Sequence, residues 1–325
     1  MTKVVRERSV PETTPPGDEA ADYIFVVGLS RSGTTLMRHM LHSHPEIAIC
    51  PENHFMGHLV ASEGVRHKLR RFQPFSVDEN ARGAIAFLYG GGLRRASRFR
   101  APSRLWTWLV KSVPQQEMVD RFLASERTEA SLFATVMDLY AEKKGKRIAG
   151  EKTPAHLRYV PDLLSWYPGG RVVHLMRDPR AIFSSEVRRR RVEPGGFPYV
   201  ALRRLGPLLT VFVLAETTLT WAEGARRWHR YRREHADRYR MVRFEDLVRH
   251  PQDQLRSICA FVGVPFDPAI LEQRVVSHGS RLGDPGIDAG AADRWRGSLP
   301  RWADRWFRIA LGADLRALGY LEPAA

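Results

Sequence analysis

Short runs of β-branched and aromatic residues alternate along this chain with longer stretches of helical periodicity. The first run, at residues 23–27, is closed by Gly28, and residues 34–42 then follow a helical period. Further runs predict strands at residues 47–49, 147–151, 171–176 and 239–244. Because short apolar runs separated by helices are typical of a buried parallel sheet, the pattern predicts an α/β fold in which helices flank that sheet.

The remaining helices are predicted at residues 156–166, 181–190, 215–235, 252–262 and 302–318. Residues 57–146 differ from the rest, because they are helical, basic and broken by prolines, and they include Trp106 and Trp108. We interpret this segment as an insertion that forms a helical cap over the sheet. We expect one domain over residues 21–325, preceded by a flexible polar tail at residues 1–20 rather than by a signal peptide.

Composition limits the size of the core and the kinds of partner. With 43% hydrophobic residues in 325, the chain can bury a sizeable core. Its formal net charge of +15 predicts attraction to polyanions, anionic membranes or phosphorylated small molecules, and charge alone does not choose among them. No run approaches the roughly 18 apolar residues of a membrane span, so no transmembrane segment is expected, whereas peripheral membrane contact stays open.

The two cysteines, Cys50 and Cys259, both have apolar neighbours. This number excludes a disulfide framework, disfavours a cysteine-based metal site and fits a reducing cytoplasm best. We expect both side chains to be buried as small hydrophobic groups.

Residues 28–35 read GLSRSGTT between a predicted strand and a predicted helix. Backbone N–H groups and the helix dipole at such a junction hold phosphate, so the candidate ligands are Arg31, Ser32, Gly33, Thr34 and Thr35. The spacing matches a P-loop, but Thr34 stands where a nucleoside triphosphatase needs lysine, and the cation is Arg31 instead. This arrangement favours a donor with one phosphate next to a transferable group over a triphosphate.

A second phosphate site is predicted in residues 171–185, which read RVVHLMRDPRAIFSS. The strand delivers Arg177 at its carboxyl end, and the next helix carries Ser185 two turns later, with Ser184 as an additional candidate. Asp178 and Pro179 suit the start of that helix, because aspartate caps it and proline fits its first position.

The stretch RSGTTLMRHMLHSHP at residues 31–45 resembles the 5′-phosphosulfate loop of sulfotransferases that use 3′-phosphoadenosine 5′-phosphosulfate (PAPS), especially tyrosylprotein sulfotransferases and their bacterial relatives. The resemblance implies PAPS as donor, 3′,5′-diphosphoadenosine as product and no metal. It also implies that Arg177 and Ser185 hold the 3′-phosphate. Glu52 matches the glutamate proposed as base, and Lys152, in GEKTP, matches a catalytic cation that would converge with Arg31 on the reacting oxygens.

The resemblance covers residues 23–320 and departs from the family at several positions. Leu36 stands where many cytosolic sulfotransferases stack adenine on tryptophan, and Phe244 replaces a tyrosine. Residues 277–292 do not match the late loop that normally closes the nucleotide site, and Trp295 and Arg296 follow it. The residues that hold adenine therefore stay open. His54 is an alternative base, because its unperturbed pKa suits neutral pH.

We expect transfer to a carbohydrate, lipid or small-metabolite hydroxyl, bound between the sheet edge and the cap with its two tryptophans. A protein tyrosine is the alternative acceptor. Two other classes stay as alternatives, namely a P-loop kinase, which the missing lysine argues against, and a polyanion-binding module. A nucleic-acid partner is not expected, because no recognition motif that combines aromatic and basic residues is evident. The oligomeric state is left open.

Overall fold

A computed structural model describes residues 21–57, 64–95, 104–193, 198–272, 274–277 and 280–322. Its main sheet consists of β1 (Tyr23–Gly28), β2 (Ile47–Cys50), β3 (Ile148–Lys152), β4 (Arg171–Met176) and β5 (Tyr239–Arg243). The strand order is β2-β3-β1-β4-β5, and every neighbouring pair is parallel. The predicted α/β fold is confirmed. The predicted tail at residues 1–20 lies outside the described residues.

Parallel pairing brings the carboxyl ends of the strands to one edge of the sheet. Val26 of β1 is in register with Lys152 of β3, and Gly28 is in register with Leu175 of β4. Cys50, the last residue of β2, pairs with Glu151. The segments that follow β1, β2, β3 and β4 therefore begin close to one another.

Helices cover both faces of the sheet. They are α1 (Thr34–Ser43), α2 (Val65–Leu69), α3 (Asp78–Tyr89), α4 (Gly92–Arg95), α5 (Arg104–Ser112), α6 (Gln115–Leu123), α7 (Glu129–Glu142), α8 (Val160–Trp166), α9 (Pro179–Val192), α10 (Tyr199–Leu202), α11 (Gly206–Glu234), α12 (Phe244–Arg249), α13 (Pro251–Val262) and α14 (Arg301–Ala317). Short 3-10 helices lie at Arg70–Phe72, Pro154–Tyr159, Pro268–Leu271 and Ala289–Ala292. Within the described part of the chain, none of these helices has the length and apolar character needed to span a bilayer.

Alternate residues of each strand pack into two separate cores, because successive side chains of a strand point to opposite faces. Phe25 and Val27 of β1 join the larger core, whereas Ile24 and Val26 join the smaller one with residues of α1 and α13. The described residues of the predicted insertion form helices α2 to α7, and their buried side chains, including Phe122 and Phe133, belong to the larger core. The cap is therefore packed onto the sheet, and its domain boundaries stay a prediction.

Two elements differ from the sequence prediction. Helix α11 begins at Gly206, nine residues before the predicted start, because Pro207 occupies its first turn, where a missing N–H costs nothing. Residues that gave no clear pattern form an antiparallel pair of strands, β6 (Arg274–Ser277) and β7 (Ser280–Pro285), just before the 3-10 helix Ala289–Ala292. The predicted burial of Cys50 and Cys259 is confirmed.

Candidate active site

The loop that joins β1 to α1 turns tightly against the sheet. At Gly28 an added Cβ would lie 2.5 Å from the carbonyl oxygen of Leu175, so the close approach of the two chains excludes a side chain. Ser32 is buried, and both its hydroxyl and its backbone N–H donate to Leu29 O, at 2.8 and 3.2 Å. Arg31 has the left-handed φ of 68°. Ser32 thus braces the turn from within, while Arg31 extends from it.

The start of α1 is built to accept an anion. The cap position is Gly33, with φ of 97°, and neither a side-chain cap nor an acidic residue occupies the first turn. The N–H groups of a first helical turn have no acceptor within the helix, and the helix dipole adds partial positive charge there. A Cβ on Gly33 would lie 2.3 Å from Cδ2 of Phe244, so the loop can adopt this position only with glycine.

Arg31, Arg177 and Ser185 meet beside this helix end. Arg31 Nε donates to Ser185 Oγ at 3.1 Å, and Arg177 Nη1 donates to the carbonyl oxygen of Arg31 at 3.1 Å. Arg177 stacks over the ring of Phe244, with 4.2 Å from its guanidinium carbon to the ring centroid. Burial lowers the pKa of both arginines, which means that an anion placed between them would replace hydration that each has lost.

Residues distant in sequence hold Arg177 in place. Its Nη2 donates to Ala291 O at 2.8 Å, and Trp221 Nε1 donates to its carbonyl oxygen at 2.9 Å. The next residue, Asp178, caps α9 by accepting from Arg180 N at 2.9 Å, as predicted, and donates its own N–H to Glu245 Oε1 at 3.1 Å. The 3-10 helix Ala289–Ala292 therefore contributes the backbone carbonyl of Ala291 to the site.

Glu52 and Lys152 form an ion pair at the other side of α1. Lys152 Nζ lies 2.5 Å from Glu52 Oε1 and 3.4 Å from Thr35 Oγ1. Lys152 is buried, whereas the Glu52 side chain is 42% exposed. Burial alone would raise the pKa of Glu52, but the charge and hydrogen bond of Lys152 outweigh it and lower that pKa. The carboxylate is thus ionised at neutral pH and open to solvent.

His54 lies near the same carboxylate, with 3.9 Å between its Nε2 and Glu52 Oε2. It has the left-handed φ of 53°, so it occupies a turn of the segment that follows β2. A second partner for Glu52 is therefore present, and the choice of base between Glu52 and His54 stays a prediction.

A buried hydrogen-bond network lies directly behind the ion pair. Asn53 Nδ2 donates to Glu151 Oε2 at 2.9 Å, and the other oxygen of Glu151 lies 2.8 Å from His156 Nδ1. Since His156 Nε2 accepts from the N–H of Met56 at 3.2 Å, Nδ1 carries the proton that is donated to Glu151. Two consecutive residues of one segment, 52 and 53, thus bind two consecutive residues of the other, 152 and 151.

The two tryptophans of the cap, Trp106 and Trp108, lie in different surroundings. Trp106 is buried, and its Nε1 donates to Asn53 O at 2.8 Å, which ties the cap to the segment that carries Glu52. Trp108 packs edge to face on Tyr140, with 4.7 Å between the ring centroids. Trp106 also lines a cavity of about 340 Å³ within the cap, whose other lining residues are Leu88, Tyr89, Gly91, Leu93, Thr107, Val110 and Lys111.

An apolar cluster lies next to Arg177, and no tryptophan is among its described members. Phe244, Val248 and Ala292 form its centre, and Leu36 and Ile287 pack against it. Leu36 is in the first turn of α1, and Ile287 precedes the 3-10 helix Ala289–Ala292. The cluster therefore joins the start of α1 to the residues around that 3-10 helix.

The structure brings together most of the predicted site residues, but in two groups. One group contains Arg31, Arg177 and Ser185, and the other contains Glu52, Lys152 and Thr35. Arg31 and Lys152 contact different partners, so their predicted convergence stays a prediction. The sequence did not predict the roles of five other residues at the site, namely Asn53, Glu151, His156, Trp221 and Glu245. The one available signal was a carboxylate inside an apolar strand, since Glu151 is completely buried.

Known proteins share this arrangement of elements. A protein-family model described as the sulfotransferase family matches residues 22–268. The nodulation protein NoeE of Sinorhizobium fredii is 28% identical over 316 residues, which cover 91% of this chain and 65% of NoeE. Protein-tyrosine sulfotransferase 1 of Danio rerio is 21% identical over 319 residues, covering 91% of this chain and 72% of that protein. Human carbohydrate sulfotransferase 6 is 25% identical over 350 residues, covering 95% and 83%.

Among solved structures, the sulfotransferase domain of the Synechococcus PCC 7002 olefin synthase matches 96% of this chain with 100% of its own length. The TM-score is 0.55 at 23% identity, which establishes similarity of fold. The chain spans slightly less than two thirds of NoeE.

Proposed function

The chain belongs to the sulfotransferase family, and we propose that it transfers the sulfuryl group of PAPS to an acceptor hydroxyl. The observation that carries this proposal is the pair of sites on either side of the α1 N-terminus. On one side Arg31, Arg177 and Ser185 converge, and on the other Lys152 and Glu52 meet at Thr35. A donor with one phosphate on the 3′ position and another on the 5′ position of its ribose requires two anion-binding regions, with reactive groups at the 5′ one.

The chain's residues fit such a donor. Buried Arg177 Nε and Ser184 Oγ have no hydrogen-bond partner among the described residues, so two donors are available beside Ser185. The uncapped start of α1 offers backbone N–H groups to the 5′ end. We therefore assign Arg177, Ser184 and Ser185 to the 3′-phosphate, and Gly33, Thr34 and Thr35 to the 5′ end, with Ser32 shaping the loop. Arg31 is assigned to the 5′ end as well, so its guanidinium would exchange Ser185 for the donor. PAPS would supply the sulfuryl group and a stable leaving group.

The apolar cluster beside Arg177 suits the adenine ring. Leu36 and Ile287 are partly exposed on that cluster, and together they can enclose a flat ring where other sulfotransferases use tryptophan. This proposal explains why Leu36 is tolerated in the first turn of α1.

In the proposed mechanism Glu52 accepts the proton of the acceptor hydroxyl while the oxygen of that hydroxyl bonds to sulfur. Lys152 places positive charge where the bridging oxygen gains charge as its bond to sulfur breaks. To do so, Lys152 must release the carboxylate of Glu52 and bind the donor instead. Lys152 Nζ lies 3.4 Å from Thr35 Oγ1, so the ammonium group is already next to the N-terminus of α1. Release from Lys152 raises the pKa of Glu52, which makes it a stronger base when the site is filled.

For the acceptor we propose a non-protein hydroxyl compound. The cavity in the cap has a volume typical of small-molecule sites, and its lining is largely apolar and aromatic. Trp106 connects this cavity to the segment that carries Glu52, because its indole contacts Asn53. The similarity to human carbohydrate sulfotransferase 6 supports this class, whereas that to protein-tyrosine sulfotransferase 1 supports a peptide tyrosine as the alternative.

The donor site is tested by isothermal calorimetry with 3′,5′-diphosphoadenosine in the absence of Mg²⁺. Arg177→Ala and Ser185→Ala should each weaken binding by about 1–3 kcal/mol, since each removes a hydrogen bond to a charged phosphate. Arg188→Ala, at an exposed position of the same helix, is the matched control. Unchanged affinity in both site variants, or binding only of ATP with Mg²⁺, would contradict the proposal and favour a kinase.

The base and the acceptor are tested together by transfer of labelled sulfate to panels of sugars, lipids, phenolic metabolites and acidic tyrosine peptides. Glu52→Gln should lower turnover by about 10²-fold or more and leave donor affinity intact, while His54→Ala should retain most activity. The opposite result would assign the base to His54. If only the tyrosine peptides are labelled, the acceptor is a protein tyrosine instead of a non-protein hydroxyl, and the donor assignment is unaffected.

A further inference from the structure

A stripe of apolar residues lies exposed on α11, opposite its buried face. Its members recur at helical spacing and comprise Leu208, Val211, Phe212, Ala215 and Leu219. The exposed fraction is 55% for Val211 and 69% for Leu219. The buried face of the same helix, which includes Leu209, Val213 and Trp221, packs into the larger core. Helix α11 thus has apolar residues both on the face that packs into the core and on the face that is exposed.

A second stripe lies on α14 and joins the first. Trp302, Trp306 and Ile309 are spaced four and three residues apart, and their exposed fractions are 51%, 47% and 74%. Trp306 Nε1 donates to Thr218 Oγ1 of α11 at 3.0 Å. Because Thr218 lies two helical turns after Val211, this hydrogen bond places the second stripe beside the first. The two stripes form one apolar surface, here called the α11–α14 surface.

Arginines border this surface at both stripes. Exposed Arg203 and Arg204 precede α11, and exposed Arg301 and Arg305 lie beside the tryptophans of α14. Two acidic residues of these helices stand against them, Asp304, which is paired with Arg180 and Arg308, and Glu216, which accepts from the neutral hydroxyl of Tyr199, so the four arginines outnumber the one carboxylate without a cationic partner among the described residues. The border is therefore cationic.

We propose that the α11–α14 surface docks on an anionic membrane. Aliphatic side chains and indoles that enter the boundary between head groups and acyl chains, with arginines reaching back to phosphates, are typical of interfacial helices. A second copy of the chain fits the surface less well, because a two-fold contact would bring the cationic borders against each other. The proposal concerns where the enzyme works and is independent of its acceptor.

Vesicle sedimentation tests the proposal with phosphatidylcholine alone and with added phosphatidylglycerol. We expect the protein to pellet with the anionic vesicles and to be released by high salt only in part, because apolar insertion is not screened. A variant with Val211→Ser, Leu219→Ser and Ile309→Ser should bind at least tenfold more weakly. Arg301→Gln with Arg305→Gln should weaken the preference for anionic vesicles, since Arg203 and Arg204 remain at the other stripe.

The matched control combines Val77→Ser and Arg82→Gln, which alter an exposed valine and an exposed arginine on the cap. It should bind vesicles as the native chain does, and thermal melting should show that all variants are folded. Equal pelleting of the triple variant and the control would overturn the proposal. Sedimentation of the native chain as a dimer that the triple variant dissociates would also overturn it, in favour of self-association.

Discussion

At the scale of single residues, the short contact between Glu52 and Lys152 determines the protonation of the site. The lysine holds the carboxylate ionised, although the burial of Glu52 opposes ionisation. Because this pKa is lower in the folded chain than in the unfolded one, the pair stabilises the fold at neutral pH, and that contribution is lost as the pH falls through the folded pKa.

Replacing the lysine should reverse the direction of the pKa shift. In Lys152→Met burial remains and the main countercharge is lost, leaving only the smaller effects of His54 and Arg104, so the pKa of Glu52 should rise above its ordinary value. The acid limb of kcat/KM should then move to higher pH, and an NMR titration of labelled glutamate carboxyls should show the same shift without substrates. Arg104→Gln is the control, since Arg104 is a weaker contributor to this pKa. An acid limb at the native pH in Lys152→Met would show that Glu52 does not titrate there.

The neighbouring hydrogen bond between Asn53 and Glu151 should position Glu52. In Glu151→Gln one acceptor oxygen becomes an NH2 donor, which must face either Asn53 Nδ2 or the N–H of His156, so one of the two hydrogen bonds is replaced by two opposed donors. We expect turnover to fall by about 10- to 100-fold with donor affinity retained. Adding Asn53→Asp restores a donor–acceptor pair with the same total charge and should recover most of the turnover. If the double variant is as slow as Glu151→Gln, the network has no positioning role.

At the scale of elements, the junction of β1 and α1 depends on the lack of a side chain at Gly33. Gly33→Ala would combine an unfavourable φ of 97° with a clash against Phe244. We expect donor affinity to fall at least tenfold, measured by calorimetry with 3′,5′-diphosphoadenosine. Gly145→Ala has a similar φ of 65° and open space around it, so it should cost stability alone. Equal affinity in both variants would remove Gly33 from the donor site.

The sequence predicted the parallel strands to within one or two residues at each end. Residues 171–176 matched completely, because an apolar run there ends at the charged pair Arg177 and Asp178. Motifs local in sequence, such as residues 28–35, could also be read in advance. Contacts between distant residues could not, since nothing local links Asn53 to Glu151, 98 residues away, or Arg177 to Ala291, 114 residues away. The hairpin of β6 and β7 gave no alternating pattern and was missed for that reason.

At the scale of the whole molecule, Arg180 joins the donor side of the sheet to the C-terminal helix. Its guanidinium contacts both oxygens of Asp178, Asp304 Oδ1 at 3.0 Å and the carbonyl oxygen of Tyr320 at 2.9 Å, and it stacks over Trp295. Arg180 and Asp178 are both buried. The turn that presents Arg177 is therefore anchored to residues near the end of the described chain.

Arg180→Met should lower the free energy of unfolding by about 3 kcal/mol, because a buried carboxylate then loses its cation. Urea denaturation followed by circular dichroism would measure this loss. Arg308→Met, which breaks an exposed pair with Asp304, should cost about 1 kcal/mol or less. Equal losses in both variants would show that burial does not determine the strength of this cluster.

The contacts of Arg177 also bear on how the protein is made. The loop that carries Arg31 leaves the ribosome before Arg177, and Ala291 leaves it after Arg177. Arg177 donates to the carbonyl oxygens of both Arg31 and Ala291, so its contacts are complete only when residue 291 is available. The apolar cluster that we assign to adenine likewise includes residues from Leu36 to Ala292. A nascent chain stalled before residue 291 has emerged should therefore hold a nearly complete sheet and yet bind nucleotide poorly. Competence to bind the donor would then be acquired later than the main sheet, whose strands all end by Arg243.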